Sequence, residues 1–126
     1  MIMRAALQFL TILPVPVTGA RPGQGAWAYP LVGALLGLAA AAMLALPMGA
    51  LLGLLLVTLL SGGLHEDGLA DVCDAVRSYR TPEQMHAILK DSRIGAHGAL
   101  ALALSVIVRW QALAHLQGNV WLRVPA

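Results

Sequence analysis

Residues 22–64 contain no charged side chain, an unbroken run of 43 between Arg21 and His65. No other feature restricts the fold as strongly. A helical bilayer crossing takes about 20 apolar residues, because in lipid each backbone N–H and C=O must find its partner within the segment. The run therefore has room for two crossings, with Pro47-Met48-Gly49 as the turn between them. The first is expected at 27–46, with Trp27 and Tyr29 at the interface, and the second at 49–64. A third apolar stretch, 95–116, is interrupted by Arg109, which is expected either to face the bundle interior or to snorkel to an interface. Composition agrees: 59% of residues are hydrophobic, 11% are charged and mean hydropathy is +0.76, whereas soluble domains carry about 25% charged residues. The expected fold is all-α, a multi-pass integral membrane helical bundle of about three apolar spans with one polar segment, 65–94.

Charge placement gives an orientation. Arg4 and Arg21 precede the first span, the Pro47 turn has no charge, and Arg77, Arg80, Lys90 and Arg93 follow the second. By the positive-inside rule the N-terminus and the 65–94 segment both face the cytoplasm. Met1–Leu13 reads as a retained amphipathic or interfacial segment ended by Pro14-Val15-Pro16, since those prolines would break the helical core of a secretory leader. Gly33-x-x-x-Gly37 on the first span and Gly49-x-x-x-Gly53 on the second have the small-residue spacing that lets helices approach closely in lipid. An Ala/Gly-rich chain also produces that spacing by chance. Thr81-Pro82-Glu83-Gln84 is a helix start, predicting a short amphipathic helix over 82–90. The net charge of +2 is spread thinly, so nucleic-acid binding has no footprint. Cys73 is the single cysteine, which excludes an intramolecular disulfide and suits a small packing residue.

All six acidic residues lie in the polar segment, four of them in His65-Glu66-Asp67-Gly68-Leu69-Ala70-Asp71-Val72-Cys73-Asp74. On a helix Asp67, Asp71 and Asp74 fall at about 0°, 40° and −20° around the axis, at roughly 100° per residue. Three carboxylates on one stripe repel each other unless a cation lies between them. They offer only hard oxygen ligands, with no Cys/His set beside them, so Mg²⁺, with Mn²⁺ as the substitute, fits better than zinc. Magnesium held in this way commonly clamps a substrate phosphate. Gly62, Gly63 and Gly68 would let a bulky phosphate ester come close to the backbone. Glu66 points about 100° off the stripe and is expected to be solvated or to support the ligands. His65 lies roughly opposite Asp67 and either contacts a phosphate or headgroup or is a structural histidine.

A second cluster follows, Lys90-Asp91-Ser92-Arg93-Ile94-Gly95-Ala96-His97-Gly98. Arg93 and Lys90 suit phosphate oxygens. Asp91 would supply a fourth metal ligand or act as general base, and His97 is its rival for the base role. The plainer alternative is an Asp/Arg pair at the mouth of a helix, with His97 as that helix's first polar side chain.

Three blocks of this sequence resemble the cobalamin synthase (adenosylcobinamide-GDP ribazoletransferase) family, in the family's order. They are Phe9-Leu10-Thr11-Ile12-Leu13-Pro14-Val15-Pro16, Gly63-Leu64-His65-Glu66-Asp67-Gly68-Leu69-Ala70-Asp71-Val72-Cys73-Asp74 and Asp91-Ser92-Arg93-Ile94-Gly95-Ala96-His97-Gly98. Tyr29-Pro30-Leu31-Val32-Gly33 also resembles the family's first span. The resemblance implies a magnesium-dependent transferase of the bacterial inner membrane, acting late in vitamin B12 assembly. A hydroxyl of α-ribazole, or of its 5′-phosphate, would attack the cobinamide-side phosphorus of adenosylcobinamide-GDP, releasing GMP and forming adenosylcobalamin or its phosphate. Asp67, Asp71 and Asp74 would hold magnesium on the diphosphate. Asp91 would complete the metal set or take the hydroxyl proton, and Arg93 would steady the phosphate. The family continues with further membrane helices, so residues 1–126 are expected to be the N-terminal part of one transferase domain, completed by a C-terminal half or by a second copy.

Two other classes remain open on the residues. A CDP-alcohol phosphotransferase-like enzyme also uses membrane-edge aspartates, but its motif opens with a further D-x-x-D-G, and here Leu64 stands three residues before Asp67 and Val72 follows Asp71. A non-enzymatic divalent-cation-binding membrane protein would use the same acids, although Arg93 implies an anionic partner.

Overall fold

The computed structural model of this chain describes residues 2–16, 23, 25–77, 81–82, 85 and 93–123, the side chains of residues 77 and 120–123 excepted. All regular structure among them is helical: α1 (Ile2–Leu10), a 3₁₀ turn (Ala26–Ala28), α2 (Tyr29–Met43), α3 (Gly49–Leu60), α4 (Leu64–Arg77) and α5 (Ala96–Arg123). The chain forms two compact units, Met1–Gly63 with Trp110–Ala126, and Leu64–Arg109. Among the described residues two helices are long and apolar enough to cross a membrane, Ala26–Met43 and Ala96–Asn119, and a third is reached only if α3 and α4 count as one.

In the first unit α1 is amphipathic. Its buried Ala6 meets Ala28 and Val32, with Leu7, Leu10, Tyr29 and Leu36 packed around them, and Phe9 stacks on Tyr29 with ring centroids 5.5 Å apart. Pro30 in the first turn of α2 suits a helix start, where a missing N–H leaves no bond unmade. The α2–α3 turn contains Pro47 and Met48, with Gly49 opening α3, and Met48 takes a left-handed conformation, φ 59°. The hairpin closes on small residues. A Cβ on Gly53 would come within 2.9 Å of the Ala40 carbonyl oxygen, and one on Gly49 would strike the Met43 carbonyl. Gly33 and Gly37 have no such neighbour among the described residues, so only the second of the two small-residue motifs is a packing face here. The Gln117 amide serves the turn: its Nε2 donates to the Leu46 carbonyl at 2.7 Å and its Oε1 accepts the Ala50 N–H at 3.0 Å. The Ala50 N–H is a first-turn donor of α3 without an intrahelical acceptor, and the Leu46 carbonyl in the turn also accepts the Gly49 N–H at 2.9 Å.

The helix limits differ from those expected. α2 stops at Met43 and α3 at Leu60, where hydropathy alone carries the spans to 46 and 64. At 1.5 Å per residue, α3 is only about 18 Å long. The glycine pair ends it: the Gly63 N–H reaches the Thr58 carbonyl at 3.0 Å and the Gly62 N–H the Leu59 carbonyl at 3.1 Å, with φ of 63° at Gly62 and 71° at Gly63. This is a Schellman close, which favours glycine because its left-handed residue must do without a Cβ. Gly62 and Gly63 therefore shape a turn, while Gly68 has no close neighbour among the described residues. α5 runs further than the expected 95–116, to Arg123. Of the helix expected at 82–90, Pro82 and Met85 are described and helical, and the Met85 N–H donates to the Thr81 carbonyl at 2.9 Å. The remainder of that helix lies outside the described residues.

Candidate functional site

The second unit brings α4 against the first half of α5, and small residues decide how closely. Ala70 is buried on α4 and Gly98 on α5. A Cβ on Gly98 would come within 2.9 Å of the Ala70 carbonyl oxygen and would strike the Asp74 carboxylate. At roughly 100° per residue, Glu66, Ala70 and Asp74 form one stripe of α4, and this stripe faces α5.

A polar contact fastens each end of the seam. At one end Asp74 Oδ2 accepts the Gly95 N–H at 2.7 Å and its Oδ1 accepts the Gly98 N–H at 2.8 Å. The N–H groups of Gly98 and then Gly95 hold the Asp74 carboxyl below its ordinary value; hydrogen bonds to the charged form favour it. At the other end Arg109 Nη1 donates to Glu66 Oε1 at 2.8 Å, with the Glu66 side chain 16% exposed and that of Arg109 37% exposed. Burial alone would push the Glu66 carboxyl up, but the Arg109 hydrogen bond and charge outweigh it and hold the carboxyl below its usual value. α4 and α5 are thus antiparallel, and their register is fixed at both ends.

On the flank of α4 away from this seam, Asp67 is exposed and Asp71 is half-buried. They share a face one turn apart, at positions i and i+4. On the opposite flank Val72, Cys73, Val76, His97, Leu100, Ala101 and Leu104 line an apolar groove of about 350 Å³. α4 therefore has three faces: acids on one side, α5 against another, and apolar side chains on the third.

The structure brings together only some of the residues singled out in the sequence. Asp67, Asp71 and Asp74 are on α4 as the helical period predicts. Asp74, however, turns to the start of α5, and among the described residues no three His, Cys, Asp or Glu side chains gather closely enough to hold one metal ion. The donor chemistry still suits magnesium, which keeps waters and commonly takes one or two carboxylates with substrate phosphates completing its shell. Asp67 and Asp71 are such a pair. His97 is exposed in the first turn of α5, between the two N–H groups that Asp74 receives, and Arg93 and His65 are exposed. Lys90 and Asp91 lie outside the described residues.

Two residues carry roles that sequence reasoning did not assign. Glu66, expected to be solvated or to support the ligands, is half-buried and paired with Arg109. An acid off the aspartate stripe and a lone cation in an apolar helix were the available signal, but they stand 43 residues apart. Asp74 likewise finds its donors 21 and 24 residues away.

The comparisons with known proteins agree with these motifs. The family model described as cobalamin-5-phosphate synthase matches residues 2–126. The adenosylcobinamide-GDP ribazoletransferase of Bradyrhizobium diazoefficiens is 41% identical over 132 residues, covering 95% of this chain and 50% of the relative. The Klebsiella pneumoniae protein of the same name is 44% identical over 121 residues, covering 83% and 48%. That of Escherichia coli is 39% identical over 125 residues, covering 89% and 51%. The chain spans about half the length of these curated relatives. No solved structure matches. On a match that runs from residue 2 to residue 126, the chain belongs to the cobalamin-5-phosphate synthase family.

Proposed function

We propose that this chain supplies the metal- and phosphate-handling part of a membrane-embedded, magnesium-dependent adenosylcobinamide-GDP ribazoletransferase. The supporting observation is the family match across residues 2–126 in a chain whose Asp67 and Asp71 share one face of α4. The substrates are adenosylcobinamide-GDP and α-ribazole or α-ribazole 5′-phosphate. A ribose hydroxyl oxygen forms a bond to the cobinamide-side phosphorus, the bond from that phosphorus to the GMP oxygen breaks, and the hydroxyl proton passes to a base. The products are adenosylcobalamin, or its 5′-phosphate, and GMP.

Asp67 and Asp71 would hold Mg²⁺, with Mn²⁺ able to replace it, against the donor diphosphate. Bound there, the ion supplies neutralising charge for the phosphorus-bound and leaving oxygens. Arg93, with Lys90, binds the remaining phosphate oxygens, and a guanidinium suits them because its fork makes paired bonds. Asp91 completes the metal set or takes the hydroxyl proton, and His97, which lines the apolar groove on the other flank of α4, is its rival for the base role. His65, at the start of α4, contributes a contact to phosphate or headgroup. The α4 segment faces the cytoplasm of a bacterial inner membrane, where positive charge flanks the spans and where nucleotide donors are made.

The test is turnover of the full-length enzyme in lipid nanodiscs, following cobalamin and GMP together. Wild type is expected to require a divalent metal, and Asp71→Asn to lower turnover by roughly 10²-fold, as when a group stabilising transition-state charge is removed. Undiminished turnover in Asp71→Asn would remove the metal clamp. GMP-independent release of CMP from a CDP-lipid would replace the substrate assignment.

A further inference from the structure

Each oxygen of Asp74 is already committed to a backbone N–H, Oδ2 to Gly95 and Oδ1 to Gly98. The fit leaves no room for side chains at either donor. A Cβ on Gly95 would strike the Asp74 carboxylate, and one on Gly98 would strike it too while crowding the Ala70 carbonyl at 2.9 Å. The first N–H groups of any α-helix lack intrahelical acceptors. They are usually satisfied by a capping side chain just before the helix. For α5 that acceptor comes from another helix, 21 to 24 residues earlier in the chain. An anionic acceptor at this end of a helix also gains from the aligned peptide dipoles.

We propose that Asp74 is the positioning residue of this site: it seats the Gly95–Gly98 segment, and with it His97, on α4, and leaves the metal to Asp67 and Asp71. This deepens the proposed function and rests on it. His97 lies between the two anchored N–H groups, so its backbone is fixed relative to the helix that carries Asp67 and Asp71. The two glycines of the second motif are the counterpart of the last aspartate of the first, since only a residue without a Cβ admits the carboxylate. A metal role for Asp74 would require it to leave these donors.

The experiment uses the full-length enzyme in nanodiscs and the variants Asp67→Asn, Asp71→Asn, Asp74→Ala and Asp74→Ser. Hydrogen–deuterium exchange of the peptide spanning residues 95–98, without metal, reads the anchor directly. Asp74→Ala is expected to speed exchange there by about tenfold or more, as expected when a locally closed segment opens. Asp74→Ser should recover part of the protection, because a serine hydroxyl is a good helix-start acceptor. Asp67→Asn and Asp71→Asn should leave it unchanged. Calorimetry with Mg²⁺ alone reads the metal. Half-saturation should rise roughly tenfold in Asp67→Asn and Asp71→Asn but stay within about twofold in Asp74→Ser, while kcat of Asp74→Ser falls roughly tenfold.

A rise in Mg²⁺ half-saturation in Asp74→Ser equal to that in Asp71→Asn overturns the proposal, as does unchanged exchange in Asp74→Ala. Unmoved half-saturation in both Asp67→Asn and Asp71→Asn overturns the metal reading itself. The two failures are distinguishable because the exchange measurement contains no metal.

Discussion

The α2–α3 hairpin and the α4–α5 pair solve the same packing problem with different chemistry. The hairpin closes on Gly53 against Ala40 and Gly49 against Met43, backbone nearly on backbone. The second pair also uses a small-residue contact, Gly98 on Ala70, but adds a carboxylate at each end, Asp74 on two N–H groups and Glu66 on Arg109. Small residues permit close approach without choosing one register, since sliding a smooth face leaves no group unsatisfied. Charged contacts penalise any slip, because an ion stripped of its partner in an apolar setting is costly. The polar seam therefore lies in the unit that carries Asp67, Asp71 and His97.

The contrast can be broken by substitution. Gly98→Leu should have the largest effect, because its side chain must displace both the Asp74 carboxylate and the Ala70 backbone; destabilisation of about 3 kcal/mol is expected. Loss of cobalamin formation together with a lowered melting temperature in nanodiscs would be the sign. Arg109→Leu comes next, leaving Glu66 without its guanidinium. Since the Arg109 side chain is 37% exposed, a cost of about 2 kcal/mol is expected rather than that of a fully buried pair. A double-mutant cycle with Glu66→Gln should recover part of it. Third, Gly53→Ala should destabilise the hairpin by about 1 kcal/mol, whereas Gly33→Ala, with open space around it, should stay within about 0.5 kcal/mol of wild type. Equal effects at Gly53 and Gly33 would refute the packing assignment.

The smallest effect expected is that of pH. Asp74 has its folded carboxyl held below the ordinary 3.8, so its contribution is fully present above that value and is lost as pH falls through the lower folded value. Exchange protection at residues 95–98, corrected for the intrinsic rate, should therefore be flat from about pH 5 to 8. Loss of protection within that window would show that another group holds the segment.

Local periodicity made much of this legible. The uncharged run of residues 22–64 announced apolar helices and a turn at Pro47, and the 3.6-residue repeat placed Asp67 and Asp71 on one face. Helix ends were less legible, because hydropathy does not register the Gly62-Gly63 close that stops α3. The roles of Glu66 and Asp74 were hidden for a different reason. Each is settled by a partner more than 20 residues away, and helical phase describes neighbours along one element only. Phase put Asp74 on the acid stripe at about −20°, yet that same angle also borders the side that meets α5. The residue belongs to both stripes, and only the tertiary contact says which one it serves.

The Glu66–Arg109 pair has a consequence for biogenesis. Arg109 stands midway along α5, and docked on α4 its charge is met by that of Glu66. Glu66 leaves the ribosome 43 residues ahead of Arg109, so the acid is waiting when the base arrives.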